Sequence, residues 1–574
     1  MPLVQAAMIG LVALILAPGL FFYFDVTPKL LVLLAGAAAC SALWRGERPG
    51  RLYTVLTILS IASLGISSAL SSRPALSVFG STWRRYGVVA QIAVLLLAWT
   101  VAAVGNRARF AVLRAISWAS GLAAVYGIVQ YSGWDPLLAR SSYVVGEGMW
   151  AIVRPPGTMG YVSYFATWLA MGGLLSLALG RSESSRILRR VACAAAVLSF
   201  VAMALTGTRA AFGGLAAGLI AAAWRVGFRV PRRALAAAAG LVIGSTLFYF
   251  SPAGWPMRSR TRWFVEDPWG GARPLLWRDS LRMGGARPLA GFGPEVFLAT
   301  FPRYESRDLA RAYPDFAHES PHNIFLDALV AQGIPGMACL LGFCALGLAA
   351  AWRAREHWIL AALVAGIVAQ QFTAFTIPTA LLFYVTVALV TPRRQPQTVR
   401  WRRVPLLVAA AVLLFCTVRY AAADVALQRT SRDIAARDFR AAASDYARYQ
   451  RLRFPGATAD LWYSRALLAV PAVLPAGQAA LAAVRTSEDP FDAWYNLAEI
   501  YAIGDSAPET ERCLRSAAAA SPVWFKPHWM LAQLLRLEGR ITEASSEAAL
   551  AADLDGGKHP EVMRTAAEFT ALQK

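Results

Sequence analysis

The chain has 574 residues, 57% hydrophobic and only 16% charged, with a mean hydropathy of +0.46 and a formal charge of +22. Soluble proteins average roughly 45–50% apolar and about 25% charged residues, which excludes a disordered chain, a fibrous repeat and an ordinary soluble enzyme. Residues 1–421 hold 39 basic and 15 acidic side chains, residues 422–574 hold 17 and 19, so a basic apolar body precedes a nearly neutral one.

A run of about 18 or more apolar residues can span a bilayer. Thirteen such segments are predicted, at 3–23, 28–44, 52–70, 86–105, 110–130, 160–180, 187–205, 209–225, 232–250, 321–351, 357–375, 376–391 and 403–421. No Lys or Arg precedes the first and further spans follow it, so it reads as a span and not as a cleaved signal peptide. The loops after the even-numbered spans carry Arg45, Arg48, Arg51; Arg107, Arg109, Arg114; Arg181, Arg186, Arg189, Arg190; Arg225, Arg229, Arg232, Arg233; Arg353, Arg355; and Arg393, Arg394, Arg400, Arg402, Arg403. Only Glu47, Glu183 and Glu356 oppose them. Short basic loops stay cytoplasmic, which puts the N-terminus inside and, after an odd number of spans, the C-terminal body outside. Basic residues that punctuate apolar runs in this way point to a membrane and not to nucleic acid. The six cysteines, Cys40, Cys193, Cys339, Cys344, Cys416 and Cys513, form no C-x-x-C pair, so neither a disulfide scaffold nor a zinc ribbon is indicated.

Charged groups in a bilayer are costly and are candidates for function. In chain order the first polar group is Gly80-Ser-Thr-Trp-Arg84-Arg85-Tyr-Gly87, at the outer end of the fourth span. The second is Arg154-Pro-Pro-Gly157-Thr158-Met-Gly160-Tyr161-Val-Ser163, whose glycines suit a turn that offers backbone N–H groups to an anion. The third is Thr206-Gly-Thr208-Arg209-Ala-Ala-Phe-Gly213-Gly214, where an Arg opening a helix opposes the helix dipole unless an anion is near. The fourth is the extracytoplasmic loop at about 251–320 with its ten arginines. It carries Arg258, Arg260 and Arg262, then Arg273-Pro-Leu-Leu-Trp277-Arg278 and Arg287-Pro288-Leu-Ala-Gly291-Phe-Gly293-Pro-Glu295. His318-Glu-Ser320-Pro321-His322-Asn323 and Gln332-Gly333-Ile334-Pro335-Gly336 follow.

His318 to His322 fits H-E-x-x-H, a zinc-protease pattern that needs both histidines on one helical turn. Pro321 disfavours helix at the residue before it. Ser320 and Pro321 instead read as N-cap and first helical residue, with His322 in the first turn of the tenth span. A histidine among Arg-rich turns fits a general base.

In the C-terminal body, residues 489–522 and 523–556 align at an offset of 34, with Trp494, Leu497, Ala498 and Tyr501 opposite His528, Leu531, Ala532 and Leu535. That period resembles the tetratricopeptide repeat, a helix–turn–helix unit whose stacks present a concave surface to a protein partner. Residues 422–488 read as further helical pairs. Asp553-Leu-Asp555, the only D-x-D, reads as a solvated helix end.

The string from Ser320 to Gly336 resembles the signature of the O-antigen ligase and polymerase superfamily. "ARPLLWRDSL" and "ARPLAGFGPEVF" resemble its R-x-x-x-W and P-L-x-G-x-G elements, and "GTRAAFGG" its membrane-edge Arg turn. "VYGIVQYSGWDPL" with "RPPGTMGYVSYFATWL" is similar to its central loop, which more often has asparagines near Tyr161 and Ser163. The fold expected is all-α: a polytopic membrane domain of about 13 helices, GT-C-like, over 1–421, and a soluble solenoid of tetratricopeptide-like repeats over 422–574.

The resemblance implies a glycosyltransferase of a bacterial inner membrane. It would move a glycan from a polyprenyl-diphosphate donor to a hydroxyl of lipid A core, of another glycan repeat or of a protein. His322 would be the base, Arg209 and Arg273 would hold the diphosphate, and Arg84, Arg85, Arg154, Asn323, Gly291 and Gly293 would support substrate. The expectation is one inverting displacement with neither metal nor cofactor. A transporter or flippase for an anionic lipid-linked glycan is the competing reading, which needs no base at His322.

Overall fold

A computed structural model describes residues 1–44, 48–104, 106–145, 152–227, 271–394 and 404–572, with parts of 240–258. The ninth apolar segment lies largely outside these residues, as do Arg45, Arg229, Arg232, Arg233, Arg260, Arg262, Arg400, Arg402 and Arg403.

The described chain is mainly helical, as its Ala- and Leu-rich runs favour. The membrane body contains α1 (Pro2–Leu14), α2 (Thr27–Ala42), α3 (Arg51–Ala69), the short α4 (Pro74–Phe79), α5 (Val88–Ala103), α6 (Asn106–Tyr131), α7 (Val162–Ser182), α8 (Arg186–Thr206) and α9 (Arg209–Arg225). After the loop helix α10 (Arg273–Ala286) come α11 (Ile324–Arg353), α12 (His357–Ala369), α13 (Ile377–Val390) and α14 (Val404–Ala435). Twelve of the thirteen expected segments are thus helices, and α12 and α13 are separate. Among the described residues six helices are long and apolar enough to cross a membrane, and the other apolar helices are shorter, at 10–17 residues.

Burial sorts these helices. The apolar window of α7 is 89% buried, against 33% for α8 and 28% for α14. A helix apolar all round and enclosed is central, and one with an exposed apolar face meets lipid. Gly214 and Gly218 of α9 face α12 so closely that a Cβ would lie 2.5 Å from the Ala365 carbonyl oxygen and 2.4 Å from that of Ala361. Such small-residue seams let helix backbones touch.

The loops separate onto two faces. On one, β1 (Arg48–Pro49) pairs with the strand Arg393–Arg394, Arg109 pairs with Glu356 at 2.6 Å, Arg114 with Glu183 at 2.8 Å, and Arg225 donates to the Trp352 carbonyl at 3.0 Å. These are the Arg-rich loops, and two of their three acids are matched there. The opposite face carries residues 15–26, 70–87, the loop to His322 and the C-terminal body.

That body continues α14 without a break, so the expected boundary at 421/422 falls inside a helix. Its further helices are α15 (Phe439–Leu452), α16 (Asp460–Leu468), α17 (Val473–Thr486), α18 (Pro490–Ile503), α19 (Ala507–Ala520), α20 (Phe525–Leu537), α21 (Ile541–Asp555) and α22 (Pro560–Leu572). Neighbours in sequence pack together, and Leu497, Ala498, Leu531 and Ala532 occupy one core, as the 34-residue offset requires. The body rests on the membrane domain's loops. Phe79 stacks on Phe454 at 4.3 Å, Arg73 donates to the Ser487 carbonyl at 2.6 Å, and Arg311 meets Asp553 at 2.5 Å. The helix end is therefore a docking contact at Asp553, while the fully buried Asp555 is held within the repeat body by the His559 backbone N–H at 2.9 Å and imidazole at 2.5 Å.

Candidate functional site

A cavity of about 300 Å³ opens on the face that carries the repeat body. Trp83 and Arg84 enter it from the α4–α5 loop, Tyr161 from the turn before α7, and Glu319 and His322 from the loop before α11. Asp25 and Lys29 close its far side. Its size reaches the lower end of ordinary ligand sites.

His322 does not lie in the helix. Asn323 is the N-cap of α11, its Oδ1 accepting the N–H groups of Phe325 and Leu326 at 3.0 and 3.2 Å, and the helix begins at Ile324. The expected Ser320 cap fails because its hydroxyl turns to His322, 3.4 Å from the backbone N–H and 3.3 Å from Nδ1. His322 has φ +50°, a left-handed conformation that a β-carbon disfavours. The strained turn between buried Ser320 and the Asn323 cap sets the imidazole at the cavity wall. Asn323 Nδ2 donates to Gln371 at 3.1 Å, so both polar atoms of the expected substrate ligand are spent on structure.

The R-x-x-x-W spacing has a mechanical meaning. Residues four apart share a helical face. Trp277 of α10 donates its indole N–H to the Pro321 carbonyl at 3.0 Å, which fastens the α10 face carrying Arg273 beside His322. Burial pushes the His322 imidazole down to about 4; the charges of Arg273, His318 and Arg84 add to this, and Asp327 opposes it.

Arg209 is the first residue of α9, after the Thr208 cap. Helices α9 and α12 run antiparallel, with Gly218 against Ala361 and Gly214 against Ala365 and Ala369. Arg209 therefore lies at the end of α12 where Gln371 meets Asn323. Arg154 lies over the Tyr161 ring, 5.7 Å from its centre, at the cavity edge.

Arg84 and Arg85, expected to meet substrate phosphates, are matched by protein carboxylates. Arg84 Nε reaches Glu295 at 2.6 Å and Nη1 reaches Asp327 at 2.9 Å. Arg85 pairs with Asp424 of α14 at 3.4 Å and lies over the rings of Tyr23 and Tyr420. Gly291 and Gly293 are structural as well. Helix α11 unwinds at Gly333 (φ +68°), and Pro335 has no N–H to give. The loop makes good the loss: Phe292 and Gly293 donate to the carbonyls of Val330 and Ala331 at 2.9 Å each, and Ile334 donates to that of Pro288 at 2.7 Å. A Cβ on Gly291 would strike the Ala331 backbone at 2.5 Å. The two glycine motifs are halves of one splice.

Sequence reasoning missed Lys29, Asp25 and Glu319. Lys29 carried a signal: it is the only lysine before residue 422 and stands inside an apolar segment. Its ammonium donates to the carbonyls of Ile15 and Asp25 at 3.0 and 2.5 Å. Glu319 was hidden in the discarded H-E-x-x-H. Burial raises its carboxyl above the usual range, with Arg84 opposing and Glu295 adding. Among the described residues no three His, Cys, Asp or Glu groups are placed to hold a metal.

Residues 194–341 match the O-antigen ligase family model. The matched segment holds Arg209, Arg273, the Gly291–Gly293 splice and His322, and leaves out Arg84, Arg85, Arg154 and the repeat body. No curated protein matches the chain. The match supports glycan transfer of the O-antigen ligase type by a multi-pass membrane protein.

Proposed function

We propose that the chain transfers a glycan from a polyprenyl-diphosphate donor to an acceptor hydroxyl, and that His322 is the general base. The observation that carries this is the placing of His322, half-buried and kept neutral, at a cavity wall beside the Arg273 helix inside the ligase-like segment. A neutral imidazole can take a proton. With Nδ1 protonated and donating to Ser320, Nε2 has its lone pair free for the acceptor O–H. The acceptor oxygen attacks the anomeric carbon as the bond to the diphosphate breaks, which inverts that carbon. Arg209 and Arg273 meet the leaving diphosphate, whose oxygens suit guanidinium forks, and a metal is not needed to neutralise it.

The face with the cavity is read as extracytoplasmic, because the Arg-rich loops lie together on the other face. The stacked helices 439–572 are read as tetratricopeptide-like, with a protein partner on the surface they leave open. Transfer by purified variants tests the reading. General-base loss costs about 10²–10⁴ in rate, so His322→Ala falls by that order with donor affinity retained. Arg209→Ala and Arg273→Ala lose both affinity and rate, and Lys restores each only in part. Wild-type transfer by His322→Ala removes the base. Lipid movement across vesicles without transfer makes the chain a transporter.

A further inference from the structure

A second cavity, about 200 Å³, lies between the loop 301–318 and the repeat body. Glu305, Phe316 and His318 form the loop side, and Phe491, Trp524 and Lys526 the other. It is far larger than the ~10–15 Å³ one water needs.

Most charges on its wall are already answered. Asp315 faces Lys526 at 3.5 Å, Asp492 pairs with Arg465 at 2.6 Å, and Asp489 caps α18 by accepting the Asp492 N–H at 3.1 Å. Glu305 and His318 remain. The His318 side chain is 7% exposed, and its buried Nε2 makes no hydrogen bond. The nearest Glu305 oxygen is 3.9 Å away, beyond hydrogen-bond reach. Burial raises the Glu305 carboxyl to about 8, helped by Asp279, and lowers His318 to about 4, which Asp279 opposes. At neutral pH both are uncharged, and each can donate and accept. Trp524, braced by Phe491 at 5.3 Å and Tyr495 at 5.0 Å, presents an indole at one lip, and Phe316, 67% exposed, lies at the other.

Aromatic faces beside an uncharged donor–acceptor pair suit a neutral polyhydroxyl ring, whose C–H faces pack on the rings while its hydroxyls bond both ways. A cationic peptide would need unanswered negative charge. We propose that this cavity is a carbohydrate subsite that holds a sugar ring of the glycan being transferred, four residues along the loop from His322. The assignment rests on the transferase reading and adds to it a second point of glycan contact, supplied jointly by the loop and the repeat body.

Saturation-transfer NMR on the full chain in nanodiscs tests it. The probes are oligosaccharide released by mild acid from the host's lipid-diphosphate pool, and lipid-free oligosaccharide from its cell-surface glycolipid. These two arms separate donor from acceptor glycan. One of them is expected to bind saturably, about tenfold or more weaker in Trp524→Ala and Glu305→Leu. Phe316→Ala changes an exposed side chain, so it keeps the fold, and it should weaken binding severalfold. Binding of neither oligosaccharide, binding unchanged in all three variants, or binding of an oligoarginine peptide alone would overturn the subsite. His322→Ala keeps the sugar signal while losing transfer. Sugar bound by a wild type that transfers nothing would sink the enzyme reading and leave the subsite standing.

Discussion

Arg84 and Asp327 meet at 2.9 Å, one from the loop before α5 and one from the first turn of α11, 243 residues apart. Arg84 is 4% exposed, and its Nε is taken by Glu295. Removing one partner of a buried pair strands the other charge, at about 3–5 kcal/mol. Arg84→Ala is therefore expected to lower stability by that order in thermal unfolding of the purified protein. Arg273→Ala should weaken donor use, as the proposed diphosphate contact requires. Equal melting of Arg84→Ala and wild type would show the pair to be dispensable.

The pH profile separates free enzyme from complex. His322 titrates near 4 in the free protein, so its protonation limits kcat/KM only below about that pH. A bound diphosphate beside Arg273 favours the imidazolium, which raises the pKa and moves the acid limb of kcat to higher pH. Arg273→Gln removes a positive charge and should raise the kcat/KM limb. Coincident limbs that ignore this substitution would contradict the arrangement.

Thr82 ties the site loop to the repeat body. Its N–H and hydroxyl both bond Glu488, two residues before Pro490 opens α18. Burial raises the Glu488 carboxyl to about 7; the Thr82 bonds hold it down, and Glu295 and Glu319 add to the rise. The docked state then holds the proton more tightly than a free carboxyl at its usual 4.5. Docking weakens as pH rises from about 4.5 through 7. Hydrogen exchange over residues 79–87 should quicken between pH 5.5 and 8 beyond the intrinsic pH effect, and Glu488→Gln should flatten the difference.

The neighbouring glycines of the Arg209 turn are unequal. A Cβ on Gly214 meets the Ala365 carbonyl at 2.5 Å, whereas one on Gly213 meets nothing within 4 Å. Gly214→Ala is expected to cost about 1–3 kcal/mol through overpacking of α9 on α12. Gly213→Ala should melt like wild type. Equal loss in both would mean that the α9–α12 seam does not set the requirement.

Apolar length was enough to read twelve helices, and Arg placement two sets of loops, from the chain alone, because each depends on residues close in sequence. The same locality drew attention to Arg209, Arg273 and His322. It misled at Ser320, since a serine before proline looks like a cap until the next residues show that Asn323 holds that place. Tertiary structure decided which arginines were already answered: Arg84 finds Glu295 and Asp327, and Arg85 finds Asp424, across more than 200 residues. It joined Gly291 and Gly293 to the unwound turn at Gly333, carried α14 straight through the apparent boundary, and brought Glu319 and Lys29 to one cavity. A charge in an apolar body must be paired where it lies, and the partner is set by which loops share a face, a property of packing that no local pattern holds.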